Sequence, residues 1–159
     1  MTDDLARRVD ELAGRVAALE DELAIHRLIV RYGLAVDVGD AEAAADVFTE
    51  DGVYDVDGPL LMRGRAEVRA MVRGPKHQGM LPDVAHQIGP AVVEVHGDRA
   101  VATGYSRVYL RRDAGVGIYR VSFNRWELER RGGEWQIAYR TTRLLGHAEA
   151  QALFRDALG

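Results

Sequence analysis

The chain has 159 residues, 47% apolar and 29% charged, which is enough for one domain with a buried core and too apolar for a disordered polymer. Its net charge of −4, from 21 basic and 25 acidic side chains, offers no clustered basic face for a nucleic acid, and no apolar run is long enough to span a membrane. Cysteine is absent, which excludes disulfides, thiolate metal sites and cysteine nucleophiles, and "MTDDLARR" lacks the apolar stretch of a secretion signal, so a cytoplasmic protein is expected.

Residues 4–37 read as one long helix. Leu5, Val9, Leu12, Val16, Leu19, Leu23, His26 and Val30 alternate in steps of four and three, a heptad seam narrower than the apolar stripe of a helix packed on its own domain. Self-association through this seam is expected, with His26 as a packing or register feature. Gly39 and Asp40 break the helix, and Asp40 caps a second one, "AEAAADVF". "TEDG" at 49–52 reads as a turn, "VYDVD" as a strand and "GPLLMRG" as its return. A short helix, "AEVRAMVRG", precedes a Gly- and Pro-rich loop at 74–84.

The rest is nearly all strand: "HQIGPAVVEV", a long strand from Arg99 to Arg112, "IYRVSFNRWELER" and "WQIAYRTTRLL", joined by "HGD", "DAGVG" and "RGGE". A closing amphipathic helix covers 147–158. Helices followed by an antiparallel meander give an α+β fold, a curved sheet with helices over one side and a pocket at its open end suited to a small apolar molecule. No repeat or linker divides the chain. Residues 1–159 read as a single domain, with 1–24 as a helical extension able to form a coiled coil.

Familiar catalytic signatures are missing: no Gly-rich phosphate loop, no GxSxG, no HExxH. The five histidines lack metal-ligand spacing, and His77, His96 and His147 read as solvated. What remains is a set of polar residues in apolar contexts. Asp37 ends the long helix, and Tyr32 stands five residues before it. His86 opens a strand after the loop. Ser122 and Asn124 share one strand face with Ile118 and Trp126, and Arg143 follows Trp135, Ile137 and Tyr139 on the last strand. Taken singly, each is more readily a hydrogen-bonded structural residue than a functional one.

Two of these stretches, "IHRLIVRYGLAVDVGDAEAAADVFTEDGVYD" and "RRGGEWQIAYRTTR", resemble the opening and the closing hairpin of SnoaL-like proteins of the nuclear-transport-factor-2-like superfamily, over roughly residues 20–146. The resemblance implies a cone-shaped antiparallel sheet with helices closing its wide end. Its nearest branch in motif holds scytalone dehydratase, bile-acid dehydratase and hexachlorocyclohexane dehydrochlorinase, which use an Asp–His pair. By that likeness Asp37 and His86 are the pair and Tyr32 is a proton donor, while Ser122, Asn124 and Arg143 bind substrate. Val36 and Val56 stand where scytalone dehydratase has tyrosines, and its second pocket histidine is replaced by Arg111 or Arg112. The base of the steroid-isomerase branch aligns near Val56, flanked by Asp55 and Asp57.

The implied activity is a cofactor-independent, metal-free elimination of the dehydratase type on a small hydrophobic substrate, polycyclic, steroid-like or polyketide-like. An isomerase or polyketide cyclase using the same pocket is the alternative, and a non-catalytic binder or accessory subunit is a third reading. Accessory members commonly lack the pair. A homo-oligomer is expected, a trimer by the resemblance or else a dimer, with no nucleic-acid or membrane partner.

Overall fold

The computed structural model describes residues 2–158, with side chains from Asp4; Met1 and Gly159, the ends of the expected domain, lie outside the described residues. Eleven elements follow in order: α1 (Thr2–Asp37), α2 (Ala41–Asp46), β1 (Phe48–Val56), β2 (Leu60–Arg63), α3 (Gly64–Arg73), α4 (Pro75–Gln78), β3 (Val84–His96), β4 (Arg99–Arg112), β5 (Gly115–Arg131), β6 (Glu134–Leu144) and α5 (Ala150–Arg155). The strands form one curved, open sheet in the order β2-β1-β6-β5-β4-β3. It is mixed where an antiparallel sheet is expected, because β1 lies parallel to β6, with Tyr54 beside Arg140. The chain reaches that place through the β1–β2 hairpin and the helices, which carry it across to β3 at the opposite edge.

α1 has two unlike halves. From Asp4 to Glu20 every residue is exposed. Asp21 is the first anchor, accepting hydrogen bonds from Arg130 Nη2 at 2.7 Å and Trp135 Nε1 at 3.1 Å, while the Arg130 guanidinium covers the Trp135 ring. Thereafter Ile25, Ile29, Tyr32 and Val36, spaced four, three and four, sink into the core against Phe48, Trp126, Leu128 and Ile137. Burial of each such side chain contributes about 1.5–3 kcal/mol. α2 brings alanines, Ala41, Ala44 and Ala45, to the same core, and Asp40 caps it by accepting from the Ala43 amide at 2.9 Å.

The expected turn at 49–52 is instead part of β1, which bulges between Phe48 and Val53 and so makes the bend without leaving the sheet. The expected loop at 74–84 begins with the single turn of α4. The closing helix is shorter than expected; its Phe154 packs edge-on to Tyr105, on the outer face of the sheet.

Two further bulges set the site. Tyr119 is the extra residue of β5 where Val108 pairs with Arg120 but Tyr109 with Ile118. Ala138 is the extra residue of β6 where Glu127 pairs with Tyr139 but Leu128 with Ile137. Each reverses which side chains face the helices beyond it.

Candidate active site

Helix α1 and edge strand β3 approach unusually closely at Gly33. A Cβ placed there would lie 3.1 Å from the carbonyl oxygen of His86 and 3.3 Å from Ile88 Cδ1. Glycine costs a helix interior about 1 kcal/mol, and here it lets the last turn of α1 lie against β3. That turn ends at Asp37. β3 is an edge strand, so the outward amide of His86 has no strand partner. Asp37 supplies one: its Oδ2 accepts from the His86 amide at 2.7 Å, and its Oδ1 faces His86 Nδ1 at 2.6 Å. Backbone and ring of one residue are thus held by the two oxygens of one carboxylate. An ionised carboxylate only accepts, so Nδ1 carries a proton and, in the neutral ring, Nε2 holds the lone pair. Among the described residues Nε2 has no hydrogen-bond partner, and the ring lines a cleft.

The cleft holds about 230 Å³ between the helices and the inner face of the sheet. Its walls are mostly apolar: Val36, Val56, Leu60, Met62, Met71, Met80, Ile88 and Val108, with Tyr32, Tyr54 and Tyr119. The valines at 36 and 56, where tyrosines stand in scytalone dehydratase, are therefore wall residues. Its charged side chains are all basic types: Lys76, His77, His86, Arg120 and Arg140. No carboxylate among the described residues lines it directly.

Arg140 is the most unusual of these. It is 2% exposed, and its guanidinium lies 4.8, 4.4 and 5.4 Å from the ring centres of Tyr32, Tyr54 and Trp126. Nε and Nη2 donate to Asn124 Oδ1 at 3.2 and 2.9 Å; Nη1, itself shut off from solvent, has no partner among the described residues. A buried guanidinium with an unpaired donor, at the base of an apolar cleft, favours negative charge developing close above it, since such a donor is costly to leave unpaired. Burial and the neighbouring Tyr54 push the Tyr32 phenol well above the ordinary tyrosine range, against the pull of Arg140, so it stays a neutral donor.

Tyr32 and His86 thus line one cleft, with Asp37 holding His86 from behind. Ser122, Asn124 and Arg143 do not line it. Ser122 and Asn124 lie fully buried beneath it: Ser122 Oγ accepts from Arg120 Nε at 2.7 Å, and Asn124 holds Arg140 and donates to Ser106 Oγ at 2.9 Å. They position the arginines and Ser106, which do reach the cleft. Arg143 points to the other side of the sheet, where it binds both oxygens of Asp55 at 2.9 Å and Glu149 Oε2 at 2.8 Å. The alternation of Trp135 and Ile137 extrapolates to Arg143, but the bulge at Ala138 turns Arg140 and Thr142 inward instead. The bulge at Tyr119 likewise leaves Ile118 exposed while Arg120 faces in. Arg111 pairs with Asp83 and Arg112 is exposed, so neither replaces a pocket histidine.

His77 also departs from its expected place. It is buried, not solvated; its Nε2 lies 2.7 Å from the Val36 carbonyl and its ring 6.4 Å from that of His86. Asp55 and Asp57, beside the isomerase-base position, are both engaged, Asp57 with Arg120 at 2.7 Å. Among the described residues no group of three or more His, Cys, Asp or Glu could hold a metal ion, and no helix is long and apolar enough to cross a membrane.

The comparisons agree with this architecture. A protein of Novosphingobium aromaticivorans described as NTF2-like with a cystatin-like fold is 42% identical, over 89% of this chain and 94% of that one, with a TM-score of 0.86. An aspartate-to-asparagine variant of a Mycobacterium tuberculosis protein of unknown function is 29% identical over 94% and 90%, TM-score 0.72. A Catenulispora acidiphila protein in complex with S-DNPA is 25% identical over 82% and 96%, TM-score 0.68. No curated protein matches the sequence significantly. Residues 17–141 match the SnoaL-like domain, and the chain belongs to the SnoaL-like family.

Proposed function

We propose that the protein is a cofactor-independent lyase that abstracts a proton next to a carbonyl group and expels a β-hydroxyl as water. The observation that carries this reading is the His86–Asp37 contact at 2.6 Å with Nε2 left open to the cleft. A histidine fixed in that tautomer is a general base, and such a base contributes about 10²- to 10⁴-fold to a rate. His86 Nε2 takes the α-proton, and the C–H electron pair moves into the carbonyl as an enolate. The hydroxyl of Ser106 donates to the enolate oxygen, and the Arg140 guanidinium beneath it stabilises the charge in an apolar cleft where such interactions are strong. The enolate re-forms the carbonyl, a C=C bond forms and the C–O bond breaks. Tyr32 donates to the departing oxygen, and the proton on His86 completes the water.

The substrate is apolar with one oxygen-rich end, matching apolar walls and a basic floor. A cleft of about 230 Å³ is small beside the ~300–1,000 Å³ of common ligand sites, which favours one or two rings over a four-ring steroid. The same first step serves an isomerase or cyclase, so the test addresses that step. A panel of cyclic β-hydroxy ketones and acids is incubated with the protein in D2O and followed by NMR. Exchange at the α-carbon, with or without water loss, is expected for the wild type and lost in His86→Ala. Exchange that persists in that variant removes His86 as the base; binding without exchange in any compound makes the protein a non-catalytic binder.

A further inference from the structure

We infer that the first half of α1 pairs with the same segment of a second copy as a parallel, in-register, two-stranded coiled coil. Residues 4–20 are exposed throughout, and α1 first meets the rest of its domain at Asp21. A helix of that length alone in water is marginal, and the exposed Gly14 weakens it by about 1 kcal/mol more. Yet the segment carries a row of large apolar side chains, Leu5 to Leu23, each 48–65% exposed. Some surface has to cover them.

The heptad says which. Val9, Val16, Leu23 and Val30 occupy one core position, mostly valine, and Leu5, Leu12, Leu19 and His26 the other, mostly leucine. β-branched residues at the first with leucine at the second favour two strands in parallel. The flanking charges agree. In a parallel pair each residue before the valine position meets the residue five further on in the partner helix. That sets Arg15 beside Glu20 of the second copy, and Glu22 beside Arg27, each twice by symmetry, with Arg8 beside the small Ala13. The domain does not obstruct the second helix. Ile25, Ile29, Tyr32 and Val36 turn inward, whereas Leu23 and Val30 remain exposed, so the seam runs outside the cone as far as Val30.

The absence of cysteine makes a clean test possible. Val9→Cys, Val16→Cys and Glu11→Cys are made singly in the full chain and oxidised. In a parallel, in-register pair the first two thiols meet their own copies at disulfide distance, and Glu11 points away. Both valine variants should cross-link on the order of tenfold faster than Glu11→Cys. Light scattering of the unmodified chain should give twice the chain mass. Leu12→Asp with Leu19→Asp should give a monomer whose Trp126 and Trp135 signals are unchanged. Glu20→Arg should weaken the pair, and adding Arg15→Glu should restore it. Cross-linking by only one valine variant would make the pair antiparallel, a threefold mass would make it a trimer, and a monomer would remove it. A dimer that survives the double Leu→Asp change would place the interface elsewhere. Any of these overturns the inference.

Discussion

Asp37 and Asp55 each hold a nitrogen base, at 2.6 and 2.9 Å, on opposite sides of the sheet. On the outer side Asp55 grips Arg143 with both oxygens, Glu149 takes another Arg143 nitrogen, and the Gly58 amide donates to Asp55. Nothing is left to bind a ligand, and the pair fastens β1 to the end of β6. On the cleft side Asp37 also uses both oxygens, but on one residue, and His86 Nε2 stays free. A closed pair of this kind stabilises the fold, and an open one is equipped to move a proton. The difference lies in the valences left over, since both pairs are partly or fully shielded from water.

If that distinction holds, the two pairs respond oppositely to substitution. His86→Ala should lower turnover about 10²- to 10⁴-fold while the melting temperature barely moves, because Asp37 is exposed enough to take up water. Arg143→Met should do the reverse. It strands the buried Asp55 carboxylate, costs about 3–5 kcal/mol in urea unfolding, and leaves turnover per folded molecule unchanged. A loss of activity in Arg143→Met without a loss of stability would break the comparison. Arg140→Gln tests the floor of the cleft: removing the positive charge beneath a developing oxyanion should lower turnover about 10²- to 10³-fold, with substrate affinity falling less.

Smaller effects sharpen the same contrast. Gly33→Ala puts a methyl group 3.1 Å from a carbonyl oxygen, which should cost about 1–3 kcal/mol and move Asp37 off His86. Stability and turnover should then fall together, since this residue serves the open pair through the backbone. Acid affects the closed pair. Hydrogen bonds from Arg143 hold the Asp55 carboxyl below the ordinary aspartate value of about 3.9. Its contribution is therefore complete above about pH 3.9 and is lost as pH falls through the lower folded value. Urea unfolding at stepped pH should show that part of the acid loss disappear in Asp55→Asn.

The residues legible in the sequence were those whose position follows from one unbroken period. Asp37 and Tyr32 lie on a regular helix, so a spacing of five fixes their relation. His86 sits near the start of β3, before any irregularity, and its likeness to a known pair places it. The sequence points to Arg143, whereas Arg140 lines the cleft, because Ala138 adds one residue to β6 and a period of two carries no mark of an inserted residue. Ser122 and Asn124 face inward as their alternation requires, but side chains as long as Arg120 and Arg140 cover them, and depth of that kind is not written in a pattern. His77 was hidden by its setting: a Gly- and Pro-rich stretch reads as exposed, and only the packing of α4 under Val36 buries it. Gly33 left a trace, a glycine inside a strong helix, whose meaning appears only when β3 lies across it.

The claim that His86 is held as an Nδ1–H tautomer with a free Nε2 in the cleft is tested most directly by long-range proton–nitrogen correlation NMR on the nitrogen-labelled protein at neutral pH, with Asp37→Asn alongside. The account predicts a hydrogen-bonded Nδ1 proton on His86, a lone-pair signal at Nε2 that shifts when a cleft ligand is added, and loss of the bonded proton in the variant. A proton on Nε2 instead, or a His86 signal indifferent to both ligand and Asp37→Asn, would contradict it.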